Sequence, residues 1–519
     1  MSAPKYLIDT NVLIGLEDPR EVSPEFASLL QLAARHGVGI FIHEAARDDL
    51  ARDTDDTRRR ISLSKAAKFP PINRVRGLTS AQLEAEFGAL PRPNDLVDAT
   101  LLHALKLGVA DFLVTEDRGL HDRARRSGSD LARRVLYVAD AVLLLRSTYE
   151  PINVSLPFVE ETEAHTIPRD DPIFDSLRDG YPGFDKWWIE KCVRGMRKCW
   201  IVVDEGKLAG ILVRKHEASS ETDAKTPATR ILKICTLKVR PERRGTKLGE
   251  LLLKQVFWFA RENNYDLLYV TTYPTQATLI DLLEYYGFHC TYTNRDGELV
   301  YEKPLPPDAL VPSLDQTLFD VARLNYPRFS VAPDVQAYSI PIREEFHEVL
   351  FPELVFRSQP DFFGFGGIGP RPRAPGNTIR KVYLCRAPAH IRQPGALLLF
   401  YKGKSRNPPS QAFTTLGVFE DLTLAHSLEE LRRLAGGRSV YTERQLLDWE
   451  ASRENPVKVI NFLLMGHLSP TVTLAQMMAG GVVRGAPQSI SRLSAEALQL
   501  ILRELSFSSG VTAPTGKLP

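Results

Sequence analysis

Cysteine, charge of one sign and long apolar runs are all scarce in this 519-residue chain, and each shortage removes a class of protein. The five cysteines, at positions 192, 199, 235, 290 and 385, form neither a C-x-x-C pair nor an even framework. That argues against a disulfide scaffold and a structural zinc, and for free thiols in a reducing compartment. Lys and Arg number 66 against 64 Asp and Glu, and the resulting charge of +2 offers no global field for capturing nucleic acid. Any such site has to be local. No stretch holds the roughly 18 apolar residues that a membrane helix requires. The opening MSAPKYLIDT moves at once into a strand pattern, leaving no room for a leader of basic, then apolar, then small residues. The expectation is a cytoplasmic protein with no membrane partner.

What is present is ordinary globular composition, 43% hydrophobic and 25% charged, in a chain too long for one hydrophobic core. Three units are predicted. From 1 to 150, strands YLIDT, GIFI, FLVT and VLYV alternate with amphipathic helices, the pattern of a parallel sheet with helical crossovers. From 157 to 305, strands WIVVD, LAGILVR, ILKICTLKV, DLLYVTTY and LVYEKPL surround a long helix from about Thr246 to Asn263, and PLPP opens a linker over 306–334. From 335 to 505, short strands (VQAYSIPI, KVYLCRA, ALLLFYKG, TTLGVFED, VKVINFLLM) with interleaved helices predict a small barrel-like α+β domain. The segment 362–377, rich in Gly, Pro and Arg, reads as a flexible basic loop, and 506–519 as a flexible tail. The fold class is therefore multidomain α/β.

In the first unit, Asp9 and Asp117 end two separate strands, at the carboxyl edge where open α/β sheets place their ligands. Asp49 and Asp98 lie on helices whose apolar faces turn to the sheet. Glu44 and Asp48 compete with Asp49, and Asp95 with Asp98. Crowded carboxylates repel one another, and divalent cations relieve that; an all-oxygen ligand set suits Mg²⁺ or Mn²⁺. LIDTNVL, the acid before Leu50, the Asp-bearing helix and VTED together resemble the PIN domain nuclease family over about 145 residues. The resemblance implies cleavage of single-stranded RNA by a metal-activated water. Asp9, Asp49, Asp98 and Asp117 are its matched positions, with Asp9, Asp98 and Asp117 as metal ligands and Asn11 and Thr115 in support. It also implies toxin-like behaviour with a cognate antitoxin. The bland alternative is that each Asp caps a helix or sits in solvent.

In the second unit a strand runs into a basic, glycine-bearing turn and then a long helix, in ICTLKVRPERRGTKLGELLLKQVFWFA, a geometry that suits a pyrophosphate. With the V-x-P, the R-G-x-x-L-G and the later LIDLLEYYGF, it looks like the GNAT acetyltransferase family over about 150 residues. That implies acetyl-CoA held by the backbone near Leu237 and Val239 and by the amides of Arg244, Gly245, Thr246, Lys247, Leu248 and Gly249. Two positions depart from the family pattern: Lys247 stands where Gly is usual, and Leu283 where a tyrosine acid is usual, with Tyr285 or Tyr286 as substitutes. The alternative is a GNAT-like fold kept as scaffold or dimerisation surface, so a homodimer is among the expected partners. Trp187, Trp188 and Trp200 are expected in the core.

The third unit is similar to PUA-like domains of the ASCH group between 379 and 465. This implies RNA or modified-base binding, for which Lys381, Tyr401, Lys402, Lys404 and Arg406 supply phosphate and stacking chemistry. The alternative is a buried strand LLLFY with a solvated turn KGKSR. His43, His103 and His121 stand alone, and no metal trio, nucleophile elbow or Walker loop is present.

The leading expectation is a metal-dependent ribonuclease acting on single-stranded or tRNA-like RNA. A second is an N-acetyltransferase acting on RNA, aminoacyl-tRNA or a protein amine, with the first unit as an RNA clamp. A third is a regulator without activity, its acidic pocket filled by Arg47 or Arg118.

Overall fold

The computed structural model describes residues 4–14, 24–52, 54–72, 77–150, 157–204, 206–240, 247–305, 313, 316–332, 334–357, 373–375, 378–388, 390–435 and 441–506. One compact unit comprises Met1–Ile152; the other comprises Asn153–Arg243 and Lys247–Pro519. Arg244, Gly245 and Thr246, expected at the pyrophosphate turn, lie outside the described residues.

In the first unit, strands β1 (Lys5–Ile8), β2 (Gly39–His43), β3 (Pro71–Ile72), β4 (Phe112–Val114) and β5 (Val135–Leu136) form a sheet ordered β3-β2-β1-β4-β5. Every pairing is parallel. Its central strands are buried on both faces, which is why YLI and FLV read as short continuous apolar runs. The α/β alternation predicted for 1–150 is what forms.

The second unit holds two sheets. The first contains β6 (Phe158–Glu163), β7 (Lys198–Asp204), β8 (Lys207–Glu217), β9 (Ile231–Val239), β10 (Leu267–Thr272), β11 (His289–Thr293), β12 (Leu299–Pro304) and, much later in the chain, β14 (Arg373–Pro375). Their order is β11-β12-β10-β9-β8-β7-β6-β14. β9 and β10 pair in parallel and the other neighbours are antiparallel. The basic loop expected at 362–377 lies mostly outside the described residues, but its Arg373–Pro375 is a strand on the edge of β6 and not loop.

The second sheet contains β13 (Ala337–Ile342), β15 (Arg380–Cys385), β16 (Leu397–Lys402), β17 (Ala412–Ala425), β18 (Val457–Thr473), β19 (Ser491–Arg492) and β20 (Leu505–Ser506). Its order is β15-β18-β17-β16-β13-β19, with β20 on β18. Three register shifts along the β17–β18 ladder bend it strongly. The expected barrel does not close: among the described residues no pairing joins β15 to β19.

These two sheets do not belong to separate cores. The helix Leu248–Glu262 is buried nearly all round, with every residue from Glu250 to Ala260 buried, and a single hydrophobic cluster runs from Trp200 and Leu252 to Phe400 and Leu463. Of the predicted linker, Phe319, Ala322 and Tyr326 belong to this core. Its helix Leu318–Leu324 starts with a capping box at Thr317 and Asp320, and it is held at both ends by glycines at positive φ. A Cβ on Gly287 (φ +82°) would strike the Leu324 carbonyl, and one on Gly395 (φ +96°) the Leu318 side chain. Trp258 donates to the Tyr326 hydroxyl at 2.7 Å, and that hydroxyl donates to the Leu464 carbonyl at 2.9 Å, so the three segments share one polar thread through the core.

Candidate functional site

The acidic centre of the first unit is partly assembled. Asp9 follows β1 and is buried; its carboxylate accepts from Thr10 N at 2.6 Å, Asn11 Nδ2 at 2.8 Å and Thr115 Oγ1 at 2.8 Å. Burial pushes its carboxyl above the usual range against those bonds, and the charge of Asp117 pushes the same way. Asp117, after β4, caps the helix Arg118–Ser127 by accepting from Gly119 N at 2.6 Å and Leu120 N at 3.3 Å. Asp98 is pushed up to about 7, first by burial and then by the charges of Asp9 and Asp117. Asp9, Asp98 and Asp117 therefore feel one another.

The ambiguity between Asp95 and Asp98 resolves by partners. Asp95 is bonded by Arg92 N at 2.9 Å, Arg92 Nη2 at 3.0 Å and Arg123 Nη2 at 3.1 Å, which hold its carboxyl below the usual range and make it a structural anchor. Asp49 is half-buried and pairs with Arg52 at 3.1 Å; Glu44 and Asp48 are exposed beside His43. The arginine whose charge reaches Asp98 is Arg123, neither Arg47 nor Arg118. The expected metal centre is not formed: among the described residues no group of three or more His, Cys, Asp or Glu could hold a metal ion. Asp9 and Asp117 engage their oxygens with neighbouring N–H and O–H groups instead. His43 caps a helix through Ala45 N, and His121 stacks on Tyr137 at 3.9 Å, so both have structural work.

In the second unit the feature that sets up a site is a divergence of strands. β9 and β10 pair from Ile231/Leu267 to Ile234/Val270, after which both continue, β9 as far as Val239, with no strand partner on that side among the described residues. The divergence begins at a bulge. Thr236 pairs with Val213 and Ile234 with Arg214, leaving Cys235 as the extra residue. Beyond it, Arg240 N donates to the Ala209 carbonyl of β8 at 2.9 Å. By strand alternation the N–H groups of Val239 and Leu237 point to the opposite edge, into the wedge.

The helix Leu248–Glu262 starts over the end of β9: a Cβ on Gly249 would lie 3.9 Å from Val239 Cγ2. Lys247, its N-cap, is left-handed at φ +65°, the conformation that makes glycine the usual occupant. Tyr181 packs against Tyr273, the residue after β10, with ring centroids 4.8 Å apart and the rings tilted by 39°. Sequence reasoning did not mark this pair, since nothing in the chain ties positions 181 and 273 before the fold is known.

The two substitutes for the missing tyrosine do not face this wedge. Leu283 and Tyr286 are fully buried, and Tyr286 packs between Phe257 and Tyr326 with its hydroxyl unbonded. Tyr285 carries guanidinium groups on its ring, Arg323 at 4.7 Å and Arg380 at 4.6 Å. Trp188 and Trp200 are core, as expected, and Trp200 stacks under the buried Arg214 at 4.0 Å. All five cysteines are free thiols.

The basic set expected to bind nucleic acid does not form a surface. Lys381 is buried, donates to the Leu350 carbonyl at 2.8 Å and is pulled down to about 7 by burial. Lys402 is buried among the Asn407 carbonyl at 3.0 Å, Glu344 at 3.3 Å and Glu348 at 3.6 Å, and Tyr401 lies beneath the sheet. Only Lys404 and Arg406 are exposed.

The family match falls within this second unit. Residues 162–288 match the model of the Acetyltransferase (GNAT) family, so the middle of the chain is a GNAT acetyltransferase domain. Over 59 residues the chain is 39% identical to an uncharacterized N-acetyltransferase of Dictyostelium discoideum, a stretch that spans 11% of this chain and 27% of that relative. Among solved structures, the chain is similar to an ASCH protein of Zymomonas mobilis (16% identity, 33% of this chain and 96% of that one, TM-score 0.23). It is also similar to the PaiA N-acetyltransferase of Thermoplasma acidophilum in complex with coenzyme A (12% identity, 28% and 98%, TM-score 0.22). The family match does not extend to the first unit. No described helix is long and apolar enough to cross a membrane.

Proposed function

We propose that this protein is an N-acetyltransferase that takes its acetyl group from acetyl-CoA in the wedge between β9 and β10. The observation that carries the reading is the strand divergence after Ile234, opened by the Cys235 bulge inside the segment matched by the GNAT family. Acetyl-CoA supplies a thioester carbonyl to which an amine nitrogen adds; the C–N bond forms, the C–S bond breaks, and the amine proton leaves as the sulfur departs as a thiol. The wedge fits that substrate by its donors. The N–H groups of Leu237 and Val239 have no strand partner on their side among the described residues and can hold an acyl-pantetheine chain as a strand would. The start of the helix Leu248–Glu262, with Lys247, Leu248 and Gly249, favours the pyrophosphate through its main-chain N–H groups and dipole. Tyr181 and Tyr273 frame the end from which an acceptor amine enters. RNA, aminoacyl-tRNA and protein amines remain the acceptor classes proposed.

The decisive variant is Val239→Pro. Val239's N–H points away from β8, so proline removes the wedge-facing donor and leaves the β8 ladder intact. Calorimetric titration with acetyl-CoA and CoA release with a panel of amines should show binding and turnover in the wild type and about tenfold weaker binding in the variant. Absence of both in the wild type overturns the reading and leaves this segment a scaffold.

A second reading concerns the first unit alone: phosphodiester cleavage by its carboxylates with Mg²⁺ or Mn²⁺. It is favoured by one observation, the mutual charge pressure that Asp9 and Asp117 put on Asp98. Mn²⁺-dependent cleavage of labelled single-stranded RNA, lost in Asp9→Asn and Asp117→Asn, would support it; an inert wild type would end it.

A further inference from the structure

The last β9–β10 pair is Ile234 with Val270, and β10 runs on through Thr272 to Tyr273. Tyr273 is packed by Tyr181, and Tyr181 lies against the apolar cluster of Ile211 and Val213. Ala209 and Leu212 of the same strand belong instead to the cluster that contains the helix Leu248–Glu262, so the tyrosine pair stands on the sheet face away from that helix. Coenzyme at the helix start and acceptor at the tyrosines thus meet between the strands from opposite faces.

Glu298 completes this corner. It precedes Leu299, whose rung with Thr272 ends the β10–β12 ladder, so it stands beside Tyr273. The hairpin tip holds it: Glu298 N donates to Asn294 Oδ1 at 2.9 Å, and Asn294 Nδ2 donates to Glu298 Oε2 at 3.0 Å. After burial, its charge is the next cause that raises the Tyr181 phenol above its ordinary value, so carboxylate and ring are near neighbours. Among the described residues Glu298 has no ion pair, whereas other acids of this domain do: Glu217 takes Lys215 and Asp223 takes Lys233. A half-buried carboxylate beside two tyrosine rings concentrates negative potential, since the face of an aromatic ring also attracts cations. The complement of such a corner is an ammonium. A lysine side chain is protonated up to about pH 10 and an α-amine up to about pH 8, whereas the exocyclic amine of a nucleobase is uncharged. Resting on the acetyl-CoA reading, we infer that Glu298, with Tyr181 and Tyr273, is the acceptor subsite, and that it selects an aliphatic ammonium, a lysine side chain or an α-amine, over the amine of an RNA base. The carboxylate holds the charge and the rings flank the carbon that bears it.

The test uses the full chain, calorimetry with acetyl-CoA, and CoA release with three acceptors. These are Nα-acetyl-lysine amide, cytidine, and alanine methyl ester, whose α-ammonium stands beside an ester as in aminoacyl-tRNA. One or both aliphatic amines should exceed cytidine in kcat/KM by about tenfold or more. Glu298→Gln keeps the Asn294 bond and removes the charge; it should raise KM for that amine about tenfold, change kcat less than about threefold, and leave acetyl-CoA affinity as in the wild type. Asp296→Asn, which removes the same charge from the same hairpin, should change KM less than about twofold. Tyr273→Leu should raise KM about threefold, and Tyr273→Phe, which keeps the ring, should restore it. Turnover of the lysine amide alone identifies a side-chain acceptor, of the ester alone an aminoacyl acceptor, and of both the ammonium itself as the group selected. If acetyl-CoA binds but cytidine is accepted as well as the amines, or neither amine is turned over, or KM in Glu298→Gln is unchanged or matched by Asp296→Asn, this inference falls and the coenzyme reading stands. A wild type that binds no acetyl-CoA overturns both.

Discussion

Arg380, at the start of β15, gives the Glu250 carboxylate three hydrogen bonds: from its main-chain N at 2.7 Å, from Nε at 3.1 Å and from Nη2 at 3.0 Å. Glu250 is buried in the first turn of the helix whose start lies over the wedge. An uncompensated carboxylate there would repel the pyrophosphate of the proposed acetyl-CoA, and the second sheet supplies its counter-charge. Arg380→Ala should destabilise the protein by about 3 kcal/mol, the usual cost of stranding one partner of a buried pair, and should weaken acetyl-CoA binding as well. Arg380→Lys keeps the charge but not the fork, and should recover part of both. Urea unfolding and calorimetry read the two effects; a variant that binds acetyl-CoA as tightly as wild type would separate Arg380 from the wedge.

One turn further on, Lys254 is bonded to Glu353, with His467 Nε2 3.7 Å from the same carboxylate, all three buried. Lys254 holds the Glu353 carboxyl well below the usual carboxylate range against a large burial penalty. Such a pair is costly to break and cheap to replace: Lys254→Met alone should cost about 3–5 kcal/mol, and Lys254→Met with Glu353→Leu clearly less. The lowered folded value means that the carboxylate's contribution is present above about pH 4 and is lost as pH falls further. Acid unfolding of the double variant should therefore be less steep than that of the wild type.

These polar contacts mark where the sequence stops being informative. Asp9 and Asp117 were legible because a strand end fixes where a side chain emerges, whatever lies elsewhere. Motif spacing alone favours Asp98 over Asp95; what separates the two in the fold is the Arg123 bond to Asp95, from a different helix. Lys381 and Lys402 looked like exposed ends of strands, but β15 and β16 are buried along both faces, so period-two reasoning had no solvent side to assign. One signal was present and under-used: in LLLKQVFWFA apolar residues spread well beyond one stripe, and so wide an apolar surface must be covered on more than one side. Read that way, it foretells that the middle and last units share a core. The divergence of β9 from β10 depends on a bulge that no local pattern announces.

The carboxyl of Asp98 makes a pH prediction for the first unit. Its folded value, about 7, lies above the unfolded carboxylate range, so the protonated form is the one the fold favours. Stability from this group is complete below about pH 4 and is lost as pH rises through 7. Asp98→Asn should raise the stability of this unit at pH 8, on the order of 2 kcal/mol after allowing for residual solvent screening, and leave it nearly unchanged at pH 4. Mn²⁺ stabilising the wild type but not the variant would add direct support to the second reading.

Tyr286 offers the clearest separation of packing from catalysis. It is the conspicuous tyrosine near the position where the GNAT pattern has its acid, yet it lies in the core with its hydroxyl unbonded, and burial holds its proton far more tightly than in water. A hydroxyl buried without a partner is a net cost of about 1–3 kcal/mol, and phenylalanine fills the same volume without it. Tyr286→Phe should therefore raise the unfolding free energy by about 1 kcal/mol and leave the rate of CoA release unchanged across pH. Loss of turnover in Tyr286→Phe with the fold intact would mean that the core opens during the reaction and that this hydroxyl reaches the thioester sulfur.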